Sequence, residues 1–290
     1  MANVDREEQS IETFGTYGPG FWTKLLIEGS RRMSYSAFFK PASSLCRKLA
    51  LNFFIKGPVD YKFFNAFVRF QPLGNLAEKR CLLKPAAFDP VEFNFIQASL
   101  PEGGTFLDVG ANVGLYSLAA AGVLGKNGRV IAFEPNPLVY KRLLCNVALN
   151  AGRDDMAAIT PLELAVSDRN GYLQFSLSEK NLGEGRLAES GDGNFEVQGS
   201  TLWDAMVKES VSKINILKID IEGHEINALR PFFASAPESL HPDFIIIERG
   251  DDEHWGQLAA LCQKSDYQEF KACHMNVILK KVIRKSLFST

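Results

Sequence analysis

Two clusters of residues in this chain have the types and spacing to do chemistry. The first is Leu107-Asp-Val-Gly-Ala-Asn-Val-Gly114, followed by Glu134 in Val-Ile-Ala-Phe-Glu-Pro-Asn. It predicts a buried strand, a glycine turn into a helix, and a second buried strand with a carboxylate at its tip. That is a nucleoside-binding plan, in which Glu134 accepts hydrogen bonds from a ribose diol while Gly110 and Gly114 let the backbone approach the ligand. Asn112 stands where the dinucleotide fingerprint needs a glycine to cradle a pyrophosphate at the helix N-terminus. The spacing and the acid remain, which fits a nucleoside cofactor without phosphates, and S-adenosylmethionine is the commonest such ligand on a doubly wound sheet. The second cluster is Lys218, Asp220, Glu222, His224 and Glu225. Leu217 to Ile221 alternates, so Lys218 and Asp220 share a face, and Gly223 frees the backbone to turn.

The elements that must position these residues alternate apolar strands with helical periods from about Thr105 onward, the pattern of βαβ units. Strands are predicted at Thr105 to Val109, Arg129 to Phe133, Ala158 to Val166, Ile214 to Asp220 and Asp243 to Glu248. Helices are predicted from Val113 to about Val123, from Pro137 to Asn150, from His224 to Phe232 and near Glu253 to Lys264. Tyr172 to Leu177 alternates like an antiparallel strand, and Glu179 to Asn194 reads as a polar loop, either a lid over a site or plain surface slack. The last two strands, about Tyr267 to Cys273 and Asn276 to Lys281, are too close for a crossover helix and must pair as a hairpin. The fold class is therefore α/β, a Rossmann-like doubly wound sheet ending in an antiparallel hairpin, the arrangement of class I methyltransferases.

Residues 101–290 form this domain; residues 1–100 are a different material, an aromatic-rich extension. Phe14, Tyr17, Phe21, Trp22, Phe38 and Phe53 are among its rings, interleaved with Arg31, Arg32, Lys40, Arg47 and Lys48. They suit an amphipathic membrane-surface or lipid-substrate element, or packing onto the catalytic domain or a second subunit. Phe63 to Phe70, Leu73-Gly74-Asn75 and Lys79 to Lys84 suggest a hairpin, and Asp89-Pro90 starts a helix. The 290 residues carry a formal charge of −2, which leaves no basic footprint for nucleic acid. No apolar run approaches the ~20 residues that span a bilayer. Five cysteines without C-x-x-C spacing and a polar, acidic first ten residues imply free thiols and a cytoplasmic location.

The chain resembles the FkbM methyltransferases. The matching segments are Asp108-Val-Gly-Ala-Asn-Val-Gly114, Phe133-Glu-Pro-Asn-Pro137, Ala165-Val-Ser-Asp168, Ser200-Thr-Leu-Trp-Asp204, Leu217-Lys-Ile-Asp-Ile-Glu-Gly-His-Glu225 and Ile245-Ile-Ile-Glu248, in that order. The resemblance implies methylation by S-adenosylmethionine, usually of a hydroxyl on a natural product, a sugar or a glycan. The partner it implies is a small-molecule or carbohydrate acceptor.

On this reading Asp108 hydrogen-bonds loop amides or lies near the methionine ammonium, and Asn112 binds the methionine carboxylate or only shapes the turn. Ser167 and Asp168 end the third strand close to the adenine, or simply supply turn chemistry. Methyl transfer to oxygen needs in-line positioning, water exclusion and removal of a proton. Asp220, Glu222 and His224 are the candidate catalytic groups, Asp220 foremost and His224 second; the competing reading is that they cap the following helix. Glu248 ends the fifth strand at the rim of an acceptor pocket. Asp220, Glu222, His224 and Glu248 could instead gather a divalent cation, though no metal is expected. Rival functions are an N-methyltransferase and a non-catalytic cofactor-binding or assembly module, with self-association through the extension.

Overall fold

The computed structural model describes residues 11–36, 38–177, 185–187 and 195–282. The extension opens with α1 (Phe21–Met33), α2 (Lys40–Leu49) and a π-helical turn (Ala50–Phe54), followed by a β1 (Val59–Phe63) and β2 (Ala66–Phe70) hairpin. Helices α3 (Leu76–Leu83) and α4 (Pro90–Ser99) lead into the sheet. This corrects the expected hairpin. Its turn is at Phe64 and Asn65, and Leu76–Leu83 is helical because the Asn75 side chain accepts from the Glu78 amide, as an N-cap should.

The sheet begins with β3 (Thr105–Val109), then α5 (Leu115–Leu124), β4 (Arg129–Phe133), α6 (Pro137–Ala148) and β5 (Ala158–Leu162). In β3 and β4 the last four residues are all buried, as strands covered on both faces must be. The expected third strand divides. Its first half is β5, an edge strand, where the missing amide of Pro161 is tolerated. The chain then leaves the sheet, and β6 (Ala165–Val166) joins a second, four-stranded sheet with β7 (Gly171–Leu177), β8 (Gly185–Leu187) and β9 (Phe195–Ser200), in the order β6-β9-β7-β8. Of the expected loop over 179–194, Gly185–Leu187 is strand β8 and the rest lies outside the described residues.

Helix α7 (Leu202–Lys208) starts where Thr201 caps the Asp204 amide. Then come β10 (Ile216–Ile219), α8 (Glu225–Ser235), β11 (Phe244–Glu248), α9 (Asp252–Lys264) and the hairpin β12 (Tyr267–Ala272) and β13 (Asn276–Lys281). The seven-stranded order is β12-β13-β11-β10-β3-β4-β5; β3, β4, β5, β10 and β11 run parallel, and the terminal hairpin is antiparallel, as expected. The order reverses between β3 and β10, so their C-terminal ends frame the crevice where doubly wound sheets bind ligands.

Helix α5 lies on one face of this sheet, and the extension packs over it. One apolar cluster runs from Ile27 through Phe70, Phe93, Tyr116 and Leu118 to Ile278. It buries α5 almost all round, which explains that helix's small, apolar sequence. Two asparagines four apart, Asn146 on α6 and Asn150 just past its end, close the edge of β2: Asn150 Oδ1 accepts from Phe67 N and Asn146 Oδ1 from Arg69 N, both at 2.9 Å. A buried ion pair, Glu78 Oε2 with Arg142 Nη1 at 2.7 Å, ties α3 to α6.

Candidate active site

A cavity of about 250 Å³ opens at the C-terminal ends of β3, β4, β10 and β11. Of the residues predicted from sequence, Gly110, Asn112, Glu134, Asp220, Glu222 and His224 line it. Asp108, Gly114, Ser167 and Asp168 do not.

The loop after β3 is tied across the end of β4, because Gly110 N and Ala111 N both donate to Phe133 O, at 3.0 and 2.8 Å. Gly110 has φ +79°, and a Cβ there would fall 1.9 Å from Asp220 O. At Gly114, φ +87°, a Cβ would fall 2.6 Å from the Leu143 side chain. Packing against the β10 end therefore demands glycine at 110, while at 114 the left-handed φ favours it and a Cβ would displace only the tip of the Leu143 side chain.

Glu134 is buried at the tip of β4. Its Oε2 accepts from Asn112 N at 2.8 Å and its Oε1 from Asn136 N at 2.9 Å. Burial pushes its carboxyl up to about 7, against the pull of those two amides. A carboxylate offers about four acceptor sites, so two backbone donors leave capacity for a pair of hydroxyls in the cavity. The Asn112 side chain works inside the protein: Oδ1 accepts from Val113 N and from Asn75 Nδ2, both at 2.9 Å.

Beneath the floor lies a buried charge cluster. Lys218 Nζ is 3.3 Å from Asp220 Oδ2 and 3.8 Å from Asp108 Oδ1, and it donates to Gly110 O at 3.1 Å. Burial alone would lower the Lys218 pKa, but the Asp220 and Asp108 carboxylates outweigh it and hold the ammonium above its usual range. Asp108 is wholly buried, accepts from Ser117 Oγ at 2.6 Å, and touches the cavity only through Lys218. Burial raises its carboxyl in spite of that ammonium.

Glu248, at the end of β11, lies beside Asp220, at the end of β10. Burial first, then the negative charges of Asp220, Glu222 and Glu225 and a hydrogen bond with Asp220, push its carboxyl to about 7. The turn that presents Glu222 and His224 is held from below by buried Glu225. Its Oε1 accepts from Ile221 N at 2.9 Å and Gly223 N at 3.3 Å, and its Oε2 meets His254 Nε2 at 3.0 Å. Among the described residues no group of three or more His, Cys, Asp or Glu could hold a metal ion.

The extension supplies a wall that motif reading missed: Asn75, Arg80, Phe88 and Asp89 line the cavity. Asp89 accepts from Tyr116 OH at 2.9 Å. Six described non-glycine residues have positive φ, and three of them, Asp89 (45°), Asn112 (53°) and Glu222 (55°), line this cavity. Backbone strain of this kind is kept where surrounding structure over-determines it, commonly at sites. Ser167 is buried with its amide on Ser200 O, and half-exposed Asp168 faces Ser167 and Arg169; their neighbours Leu164, Ala165 and Val166 reach the cavity instead.

The cavity thus combines a buried carboxyl with acceptor capacity to spare, an apolar flank and an excess of acid. Asp89, Glu134, Asp220, Glu222 and Glu248 stand against Arg80, Arg186 and Lys218. That balance suits a cationic sulfonium bearing a ribose, so the residues fit S-adenosylmethionine.

Comparison with known proteins agrees with this chemistry. Residues 108–279 match the family model described as the methyltransferase FkbM domain. The chain is 29% identical over 153 residues to the hexuronic acid methyltransferase AglP of Haloferax volcanii, and 26% identical over 164 residues to the methyltransferase sdnD of Sordaria araneosa. These matches take in 51% and 46% of this chain and span only 56% and 62% of those relatives' lengths. An FkbM methyltransferase of known structure from Methylobacillus flagellatus is similar at 13% identity, with a TM-score of 0.41 over 89% of this chain and 58% of that one.

Proposed function

The chain belongs to the FkbM methyltransferase domain family, whose cofactor is S-adenosylmethionine, and we propose that it moves the methyl group to a hydroxyl of a sugar or other small molecule. The observation that carries this reading is the Asp220–Glu248 pair: two carboxyls from adjacent strands, hydrogen-bonded to each other, with one poised near pH 7 in the same cavity as Glu134. Bound there, the cofactor supplies an electrophilic methyl on a sulfonium.

The protein's own part is binding, orientation and proton handling. Glu134 takes the ribose hydroxyls, the Gly110–Asn112 loop lies beside it, and Leu164 to Val166 form an apolar flank for the base. Glu248 accepts the proton of an acceptor hydroxyl, Asp220 shares it, and Lys218 holds Asp220 in place. This reassigns the leading role from Asp220 alone to the pair. Glu222 and His224 orient the acceptor from the turn held by Glu225, while Asp108 acts through Lys218. A sugar hydroxyl is favoured because AglP is described as a hexuronic acid methyltransferase.

The test is methyl transfer from labelled S-adenosylmethionine to a panel of hydroxyl, carboxyl and amine acceptors. Glu248→Gln is expected to lower turnover by roughly 10²–10⁴-fold, the range of general-base loss, with cofactor affinity within a few-fold. Transfer only to amines would refute O-methylation. Full activity of both Glu248→Gln and Asp220→Asn would remove the pair from the reaction.

A further inference from the structure

An exposed apolar surface that the cavity does not explain lies on the first two helices. Phe21 (74% exposed), Trp22 (62%) and Leu25 lie on one face of α1, and Phe38 (84%) in the turn before α2, Leu45 on α2 and Phe53 (66%) in the π-helical turn are exposed as well. A lone exposed ring is ordinary, but a cluster of this size on one module marks an interaction surface. The helices are packed side by side: Ser43 Oγ donates to Ser30 O at 3.1 Å, and a Cβ on Gly29 would lie 3.5 Å from Cys46 Sγ. Those contacts make α1 and α2 antiparallel, which brings Phe21 and Trp22 to the same end of the module as the π-helical turn.

Charge selects the occupant. Residues 21–56 hold seven Lys and Arg and one acid, Glu28, a net charge of +6 on a chain whose formal charge is −2. Lys24, Arg32, Lys40, Lys48 and Lys56 are all exposed. A second copy docking here by a two-fold axis would set two net-positive segments against each other. An anionic bilayer meets both demands: lipid headgroups pair with the ammonium and guanidinium groups while the rings enter the headgroup–acyl boundary. Among the described residues no helix is long and apolar enough to cross a membrane, so the mode is surface attachment.

We propose that α1, α2 and the π-helical turn form a docking surface for an anionic lipid membrane. The same extension contributes α3, Asn75 and Asp89 to the cavity, so attachment would hold the cavity at a fixed position near the bilayer. The inference stands apart from the choice of methyl acceptor.

The experiment is flotation of the full chain with vesicles of phosphatidylcholine alone or with a third phosphatidylglycerol. The wild type is expected to float with the anionic vesicles and at least tenfold less with the neutral ones, and to lose binding in 0.5 M salt. A triple variant, Trp22→Ser with Phe38→Ser and Phe53→Ser, alters exposed side chains only and is expected to lose at least tenfold of the partition. Lys24→Glu with Lys48→Glu is expected to lose it on anionic vesicles alone. Failure of the wild type to float, or equal flotation of the triple variant, overturns the proposal. So does a wild-type dimer by light scattering that the triple variant converts to monomer, since the face would then belong to a second copy.

Discussion

Glu134 makes the sharpest test of the cofactor site, because its ionisation and its proposed partner are coupled. Its carboxyl is pushed by burial from an ordinary 4.5 to about 7, against the pull of the Asn136 and Asn112 amides and of the Lys218 ammonium. The ribose hydroxyls donate, so they favour the charged form. A carboxyl with a pKa near 7 is about one-tenth ionised at pH 6 and about nine-tenths at pH 8, so the apparent Kd for S-adenosylmethionine should fall about tenfold over that window, ~1.4 kcal/mol. The stability of the free protein runs the opposite way. A folded pKa above the unfolded one gives a contribution that is fully present below 4.5 and is lost as pH rises through about 7. Isothermal titration of wild type and Glu134→Gln between pH 6 and 8 measures this, and the variant also removes any titration of the ligand's own amino group from the comparison. The variant is expected to bind weakly at both pH values, with circular dichroism confirming its fold. A wild-type Kd parallel to that of Glu134→Gln at every pH would refute the ribose assignment.

Two further perturbations probe the scaffold. Lys218→Met leaves Asp108 buried without its cation, and urea unfolding should show a loss of about 3–5 kcal/mol; a loss below ~1 kcal/mol would mean the cluster is not an ion pair in solution. Arg142→Met strips the partner from Glu78, a buried carboxyl pushed up to about 7 mainly by burial. Since that carboxyl is already largely protonated at pH 6 and largely charged at pH 8, the destabilisation should be clearly greater at pH 8, and equal losses at the two values would contradict the shifted ionisation.

How far the sequence disclosed the fold depended on whether local pattern or tertiary pairing made the decision. Thr105–Val109 and Arg129–Phe133 are buried on both faces, so their apolar runs mark their ends as well as their existence. The third strand was read through to Val166 because Leu162, Leu164 and Val166 keep the alternation going. What divides it is the docking of Ala165 and Val166 against Gly199 and Ser200, a pairing across more than thirty residues that no local signal carries. The first hairpin misled for the opposite reason. Its turn places Phe64 at φ +49°, a conformation that bulky side chains rarely take, while Leu73-Gly74-Asn75 offered ordinary turn chemistry at a helix cap.

The same division runs through the site. Glu134 and Gly110 were legible because one βαβ unit fixes both, so spacing along the chain is spacing in the fold. Asn75 and Asp89 were not, since they reach the cavity only because α4 packs beside α5 and the start of α3 is tied to Asn112, and nothing near them in sequence says what they face. The glycine rule found a position that must lack a Cβ, but only the fold shows that Asp220 O lies where a Cβ on Gly110 would fall. Proton handling is the furthest of all from sequence. Asp220 follows β10 and Glu248 ends β11, and each strand alone shows one strand-end acid. Register sets Leu217 to Ile219 beside Ile245 to Ile247, and this brings the next residue of each strand together at the crevice. Once they meet in a half-buried place, with Glu222 and Glu225 adding negative charge, two full charges become costly and one carboxyl must hold its proton near neutrality. The proposed base is therefore a property of the strand pairing. Any change that slipped β11 by one residue would leave both acids in the chain and remove the chemistry.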